Sequence, residues 1–333
     1  MTLAPPSAKT RRLTITEAAI DAIAFEMQRD PRVFYVGQDV GHFGGSMQGT
    51  RGLIEAFGAR RVREAPIAES AMVGVGIGAA LFGRRPIVEI SFGEFLPAAM
   101  SQLVNQAPNL HYMTGGVAQV PVVVRTRVGD GPYRGHPQDY AAWFSHVPGL
   151  KVVTPATPPD ARGLMLAAIR DPSPVLFFEA MSLAHGRREE VPVQEDLVPI
   201  GVARIARPGT DATVVTFGSG VALALAAAAS LAADRIETEV VDLRSLRPWD
   251  QACVLDSVRR TGRLLTLHEA WVEGGIGAEI VSIVAEHALS SLRAPVIRLG
   301  AAPVPIPSGP LRAHALPNVA TVEAALRRLV ASS

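Results

Sequence analysis

The sequence predicts an α/β protein of two domains, each a mostly parallel sheet flanked by helices. Three observations lead there. Short apolar runs of strand length alternate with longer segments of helical periodicity, the pattern of strands joined by crossover helices. The chain has 333 residues, enough for two separate cores. Between 186 and 207 the alternation breaks into a polar stretch with Pro192 and Pro199, as an interdomain linker would.

The elements follow in order. Residues 1–13, rich in polar residues and proline, read as disordered. From 16 to 29, Ala19, Ile20, Ile23, Ala24 and Met27 recur at helical spacing, with Thr16 as the expected N-cap. Residues 33–37 (VFYVG) make a buried strand, and the glycine-rich 41–52 (GHFGGSMQGTRG) a surface loop suited to a ligand. A helix of small residues at 71–83, a strand at 86–90, a helix at 97–109 and a strand at 120–125 come next. A loop at 128–137, a short strand at Val152 and Val153, a helix at 160–169 and a strand at 175–179 complete a domain spanning 14–185. The second domain, 208–331, repeats the alternation: strands at 212–217, 239–242, 263–267 and 295–299, with helices at 221–233, 250–261, 277–288 and 319–329.

Composition narrows the function. An apolar fraction of 48% and a charged fraction of 19% describe a soluble globular chain. The net charge of +1, without a long basic block, argues against nucleic acid or an anionic membrane as partner. Cys253 is the sole cysteine, which excludes an intramolecular disulfide and argues against a cysteine-ligated metal. The first twelve residues lack the apolar core of a secretory signal, and no apolar run reaches the length of about 18 that a membrane span needs. A cytoplasmic location is the resulting expectation.

Several motifs have competing explanations. The glycines of GVGIG, Gly74 to Gly78, lack the preceding strand and the later acidic residue of a dinucleotide site, so close helix packing explains them better. Gly129-Asp130-Gly131 has no asparagine at the spacing a magnesium–diphosphate site requires and reads as a turn. Glu69, in PIAES at 66–70, is either a carboxylate offsetting a helix dipole or one facing a ligand nitrogen. His136 is either a surface-loop histidine or a proton-handling group. No HExxH, G-x-S-x-G or GxxxxGK[ST] pattern occurs.

A set of ordered segments then resembles a known family. YVGQDVGHFGG at 35–45, GLIEAFG at 52–58, PIAES at 66–70, RPIVE at 85–89 and QLVN at 102–105 come first. HVPGLKVV at 146–153, AAIRDP at 167–172, HEA at 268–270 and GGIGAEI at 274–280 follow. Together they resemble the beta subunit of the E1 component of 2-oxo-acid dehydrogenase complexes, the pyruvate, branched-chain and acetoin dehydrogenases. The resemblance covers about residues 14 to 330. It implies a transketolase-like pyrimidine-binding domain and a transketolase C-terminal domain. It also implies an alpha2beta2 assembly that decarboxylates a 2-oxo acid and passes the acyl group to a lipoyl-bearing E2 partner. Thiamin diphosphate would lie between alpha and beta chains, with Mg2+ ligated mainly by the alpha subunit.

Residue by residue, Glu69 matches the glutamate that hydrogen-bonds N1′ of the cofactor's aminopyrimidine, and Phe95 the aromatic position beside that ring. His136 matches the active-site histidine. Val122, Ala168, Ile169, Asp171 and Ser173 match a structural K+ site formed largely by backbone oxygens. The sequence departs from the family at Gln38 (usually Glu), at Ser101 (usually Asp) and at Pro137, in a shortened histidine loop. These departures keep alternatives open: a two-chain decarboxylase or carboligase, an acetoin-cleaving enzyme, or a noncatalytic assembly subunit.

Overall fold

The computed structural model describes residues 9–45, 48–129, 135–184 and 186–332. Asp130 and Gly131 of the expected turn, and residues 1–8 of the expected disordered start, lie outside them. The described residues form two compact units, one within 9–128 and 143–200, the other comprising 129, 135–142 and 201–332.

In the first unit the strands run in the order Lys151–Val153, Val175–Ala180, Val123–Val128, Arg85–Glu89, Val33–Gly37, Val62–Glu64, and every one of these pairs is parallel. One face carries Tyr35, Ile87, Val123 and Phe177 against Ile23 and Met27 of helix Ile15–Arg29 and Leu164, Met165 and Ile169 of helix Pro158–Arg170. The other face receives helix Glu69–Leu81, where Gly76 does what its motif suggested. A Cβ there would stand 2.8 Å from a Val88 methyl, so glycine is what lets the helix lie this close.

Charged residues also sit on the first face, at the carboxyl ends of three strands. Arg125, 1% exposed, pairs with both Glu89 and Glu179. Tyr35 donates its hydroxyl proton to Glu89. Thr16 donates to Glu179 at 3.0 Å. The glycine-rich loop closes over this cluster: a Cβ on Gly45 would be 3.2 Å from Glu89 Oε1, and one on Gly49 3.4 Å from Arg127 Nη2. Ion-pair partners this deeply buried are destabilising when left alone.

The second unit has parallel strands Ile297–Ala301, Leu264–Trp271, Ala212–Thr216 and Thr238–Asp242, with Arg204–Arg207 antiparallel at the edge. Helices Ser219–Leu231 and Val319–Ala331 bury Ala224, Ala227, Leu231, Val322 and Leu326 against it.

Four expectations need correction. Thr14, not Thr16, caps the first helix: it accepts from the Glu17 N–H while Glu17 accepts from the Thr14 N–H, a capping box that frees Thr16 for Glu179. Residues 10–13 are ordered as strand Thr10–Leu13, because they pair antiparallel with Glu189–Pro192. That second strand lies within the expected linker, as does Arg204–Arg207, so 186–207 is largely structured. Residues 129 and 135–142 pack with the second unit, although they fall inside the expected first domain. The Gln138 side-chain amide holds them there by a two-way pairing with the Ile306 backbone, 3.2 Å each way.

Replacing Arg125 by methionine would strand two buried carboxylates. It is expected to cost about 3–5 kcal/mol or more of unfolding free energy. Urea unfolding of Arg125→Met beside wild type measures this, and a loss under about 1 kcal/mol would contradict the cluster's importance.

Candidate active site

Ligands of open parallel sheets bind beyond the carboxyl ends of the strands. Glu69 and Phe95 both arise there in the first unit. Glu69 is the first residue of helix Glu69–Leu81, shortly after strand Val62–Glu64. Phe95 is in the 3-10 turn Gly93–Ala99 that follows strand Arg85–Glu89. Ser70 ties the two elements by donating to the Ala98 carbonyl.

Glu69 stands in the first turn of its helix, where its charge offsets the dipole, but it does not cap the helix. The N-cap is Ala68, with no side-chain cap bond, and the half-buried Glu69 carboxylate makes no hydrogen bond or ion pair among the described residues. It is available to a ligand donor. Phe95 is also half-buried, its ring edge-on to Phe92 at 5.9 Å and 78°. A thiamin pyrimidine, with ring nitrogens and a flat face, fits this pair of groups.

Gln38 follows strand Val33–Gly37 on the same edge. Its Oε1 accepts from Ser91 Oγ at 3.4 Å, while its Nε2 is buried without a partner. A buried, unused amide donor beside a candidate site is a functional signal. The sequence marked Gln38 as a departure and gave no hint of the orphaned donor.

His136 belongs to the second unit, in a strained position with φ of 58°. Its neighbours fix the loop. Gln138 grips Ile306, and the Tyr140 ring lies 5.8 Å from that of Trp271. Asp139, 7% exposed, accepts from the Ala141 N–H at 2.8 Å. Burial pushes the Asp139 carboxyl above its ordinary range, partly offset by that bond.

The five expected potassium positions gather where helix Pro158–Arg170 ends and strand Val175–Ala180 begins. Several of their oxygens already have donors. Arg85 Nη1 reaches the Ile169 carbonyl at 2.7 Å and that of Asp171 at 3.3 Å. The Val122 carbonyl accepts from Val175 N–H at 2.9 Å. Lys151 pairs with the Asp171 carboxylate at 2.5 Å, and the Ser173 N–H bonds the same carboxylate at 2.9 Å. With two protein cations at the cluster, this arrangement fits a potassium ion poorly. Melting temperatures in potassium chloride and choline chloride of equal ionic strength are expected to coincide. A potassium-specific rise would contradict that reading.

His268, 2% exposed, is boxed in by Gly275, Gly277 and Gly300 and lies against the Phe217 ring at 6.0 Å. Its Nδ1 is 2.9 Å from the Ala270 carbonyl, so the proton sits on that nitrogen. Burial lowers its pKa, and the Ala270 bond offsets part of the shift. Below about pH 6.5 the unfolded chain therefore takes up a proton that the folded chain refuses, and stability falls with acidification. His268→Gln is expected to flatten this fall between pH 7.5 and 5.5 in urea unfolding. An unchanged slope would show that His268 is not its source.

Comparison with known proteins agrees with the two-domain fold. Residues 11–185 match the transketolase pyrimidine-binding domain and residues 201–322 the transketolase C-terminal domain. The chain is a two-domain member of the transketolase-like class. A solved structure described as a split-gene transketolase, inactive beta4 tetramer, shares the fold at a TM-score of 0.80 and 24% identity, over 97% of this chain and 99% of that one. Nearer relatives are more specific. The pyruvate dehydrogenase E1 component subunit beta of Rhizobium meliloti is 44% identical over 97% of this chain and 71% of its own length. The 2-oxoisovalerate dehydrogenase subunit beta of Bacillus subtilis is 43% identical over 93% of this chain and 97% of its own. The mitochondrial pyruvate dehydrogenase subunit beta-1 of Arabidopsis thaliana is 42% identical over 97% and 90%. The chain belongs to the family of E1 beta subunits of 2-oxo-acid dehydrogenases.

Among the described residues, no helix is long and apolar enough to cross a membrane, and no group of three or more His, Cys, Asp or Glu side chains is placed to hold a metal ion.

Proposed function

We propose that this chain is the beta half of a thiamin-diphosphate-dependent enzyme that decarboxylates a 2-oxo acid, acts in the cytoplasm, and works only with an alpha subunit. The observation that carries the reading is the unpartnered Glu69 carboxylate at the carboxyl edge of the sheet, in a chain of the E1 beta family. When bound, thiamin diphosphate supplies a thiazolium that accepts the electrons released as the 2-oxo acid loses CO2.

Each residue has a limited task. Glu69 holds a proton against the pyrimidine N1′. A carboxylate with no competing donor is free to make that bond at full strength. Phe95 gives the pyrimidine an apolar face and excludes water from it. His136 handles protons at a ring nitrogen once the acyl group leaves for a lipoyl acceptor on E2. Mg2+ and the diphosphate are assigned to the alpha subunit, since this chain lacks the asparagine that completes the Gly-Asp-Gly motif.

Pro137 directly follows the left-handed His136, where the sequence departs from the family's histidine loop. This favours keeping a second outcome in the test, a decarboxylase or carboligase that dispenses with E2. The chain is to be co-expressed with its alpha subunit and CO2 release measured over a panel of 2-oxo acids, with and without a lipoyl domain. Release that leads to acylated lipoyl domain is the expected result. Release without acyl transfer would move the assignment to a carboligase or simple decarboxylase. No release by a cofactor-loaded assembly would overturn it.

A further inference from the structure

The thiamin reading leaves the glycine-rich loop 41–52 without a ligand. On the first unit, Gln48, Gly49 and Arg51 of that loop meet Arg12, Thr16 and Arg188 around a cleft of about 710 Å³. Two carboxylates line it, and both are engaged: Asp21 by Arg11 at 2.5 Å, Glu17 by Arg188 at 2.6 Å. Arg12 donates to the Arg188 carbonyl at 3.3 Å and has no carboxylate partner among the described residues. The Arg51 guanidinium makes no hydrogen bond or ion pair among them; only its backbone N–H is engaged, by the Gln48 carbonyl. The cleft therefore carries two guanidinium charges that its own acids do not neutralise.

A third lies under its floor. Arg127 is 2% exposed, its Nη2 is within 3.4 Å of where a Gly49 Cβ would be, and its Nε is buried without a partner. Glu89 Oε1 is 3.9 Å from Arg127 Nη1, beyond hydrogen-bond range, because Arg125 and Tyr35 hold the other oxygen of that carboxylate. A buried guanidinium with unused donors is costly unless something accepts from it. Gly49 lines the cleft and sits directly against this guanidinium, a Cβ there being 3.4 Å from Arg127 Nη2. The start of helix Ile15–Arg29 adds little, since the Thr14–Glu17 capping box already engages it.

We propose that this cleft binds a phosphate-bearing small molecule, with the phosphoryl oxygens taken by Arg51, Arg12 and Arg127. Phosphate suits the site better than a carboxylate does. Three guanidinium groups ask for more than two acceptor oxygens and more than one negative charge, and a phosphate monoester offers three oxygens and a charge of about −1.5 to −2.

The test needs neither thiamin diphosphate nor a second chain, so its outcome is independent of the proposed enzyme activity. The full-length chain is titrated with inorganic phosphate, with glycerol phosphate, and with acetate at matched ionic strength, following the melting temperature and the heat of binding. Phosphate and glycerol phosphate are expected to give a saturable rise that acetate does not. Arg51→Gln, an exposed change that should not disturb folding, is expected to weaken phosphate binding about tenfold, and Arg127→Lys to weaken it as well. Equal responses to phosphate and acetate, or unchanged binding in Arg51→Gln, would overturn the proposal. Binding of inorganic phosphate with exclusion of the monoester would also overturn it. If Arg127→Lys does not fold, the Arg51→Gln result decides.

Discussion

Arg125 and its two carboxylates are the constraint around which the first unit is arranged. The register sets Glu89 opposite Arg125 and Glu179 opposite Arg127, so one row of charges runs across three neighbouring strands. Arg125 satisfies both acids, Tyr35 reaches in from a fourth strand, and Thr16 fastens the first helix to the same point. Ion pairs of this kind add little net stability over an apolar core of equal volume, but they permit few alternative arrangements. Strand register, helix entry and the close descent of a glycine loop all have to be right for the charges to meet.

That arrangement has consequences at the carboxyl edge. Because the strand ends are pinned, the segments leaving them start from fixed places: Gln38 after one strand, Phe95 after another, Glu69 where the next helix begins. Glu69 can then keep a carboxylate unpaired among the described residues, since the helix it opens is also anchored through Gly76 and through Ser70. Functional groups left unsatisfied in this way are tolerated where the surrounding packing holds them. The same holds for the orphaned Gln38 amide and the Arg127 guanidinium.

Much of this was legible in the sequence. The alternation of helices and strands gave the α/β class because parallel strands buried on both faces read as short apolar runs. Gly76 was legible as a packing glycine because EAPIAES, before its helix, reads as a poor strand. The first helix cap was missed although Thr14-x-x-Glu17 is itself a capping signature; the nearer Thr16 drew attention instead. The strands Thr10–Leu13, Glu189–Pro192 and Val62–Glu64 are three or four residues long, too short to show a period. Arg125 and Arg127 did carry a readable signal: alternate charges inside the apolar strand Val123–Val128 point to one buried face. What no pattern could provide is occupancy, whether a given oxygen or nitrogen is already bonded. That separates Glu69, whose carboxylate has no partner among the described residues, from the carbonyls near Arg85, where partners are present.

The central claim is that Glu69 is free to activate thiamin diphosphate from this chain. Its most direct measurement is the rate at which the cofactor's C2 proton exchanges with deuterium in the reconstituted alpha–beta assembly, compared with the same assembly carrying Glu69→Gln. The account predicts rapid exchange in the wild type and a fall of about a hundredfold or more in the variant, the lower end of what removing a positioned proton-handling group costs. Equal exchange rates in two assemblies that bind the cofactor alike would contradict it.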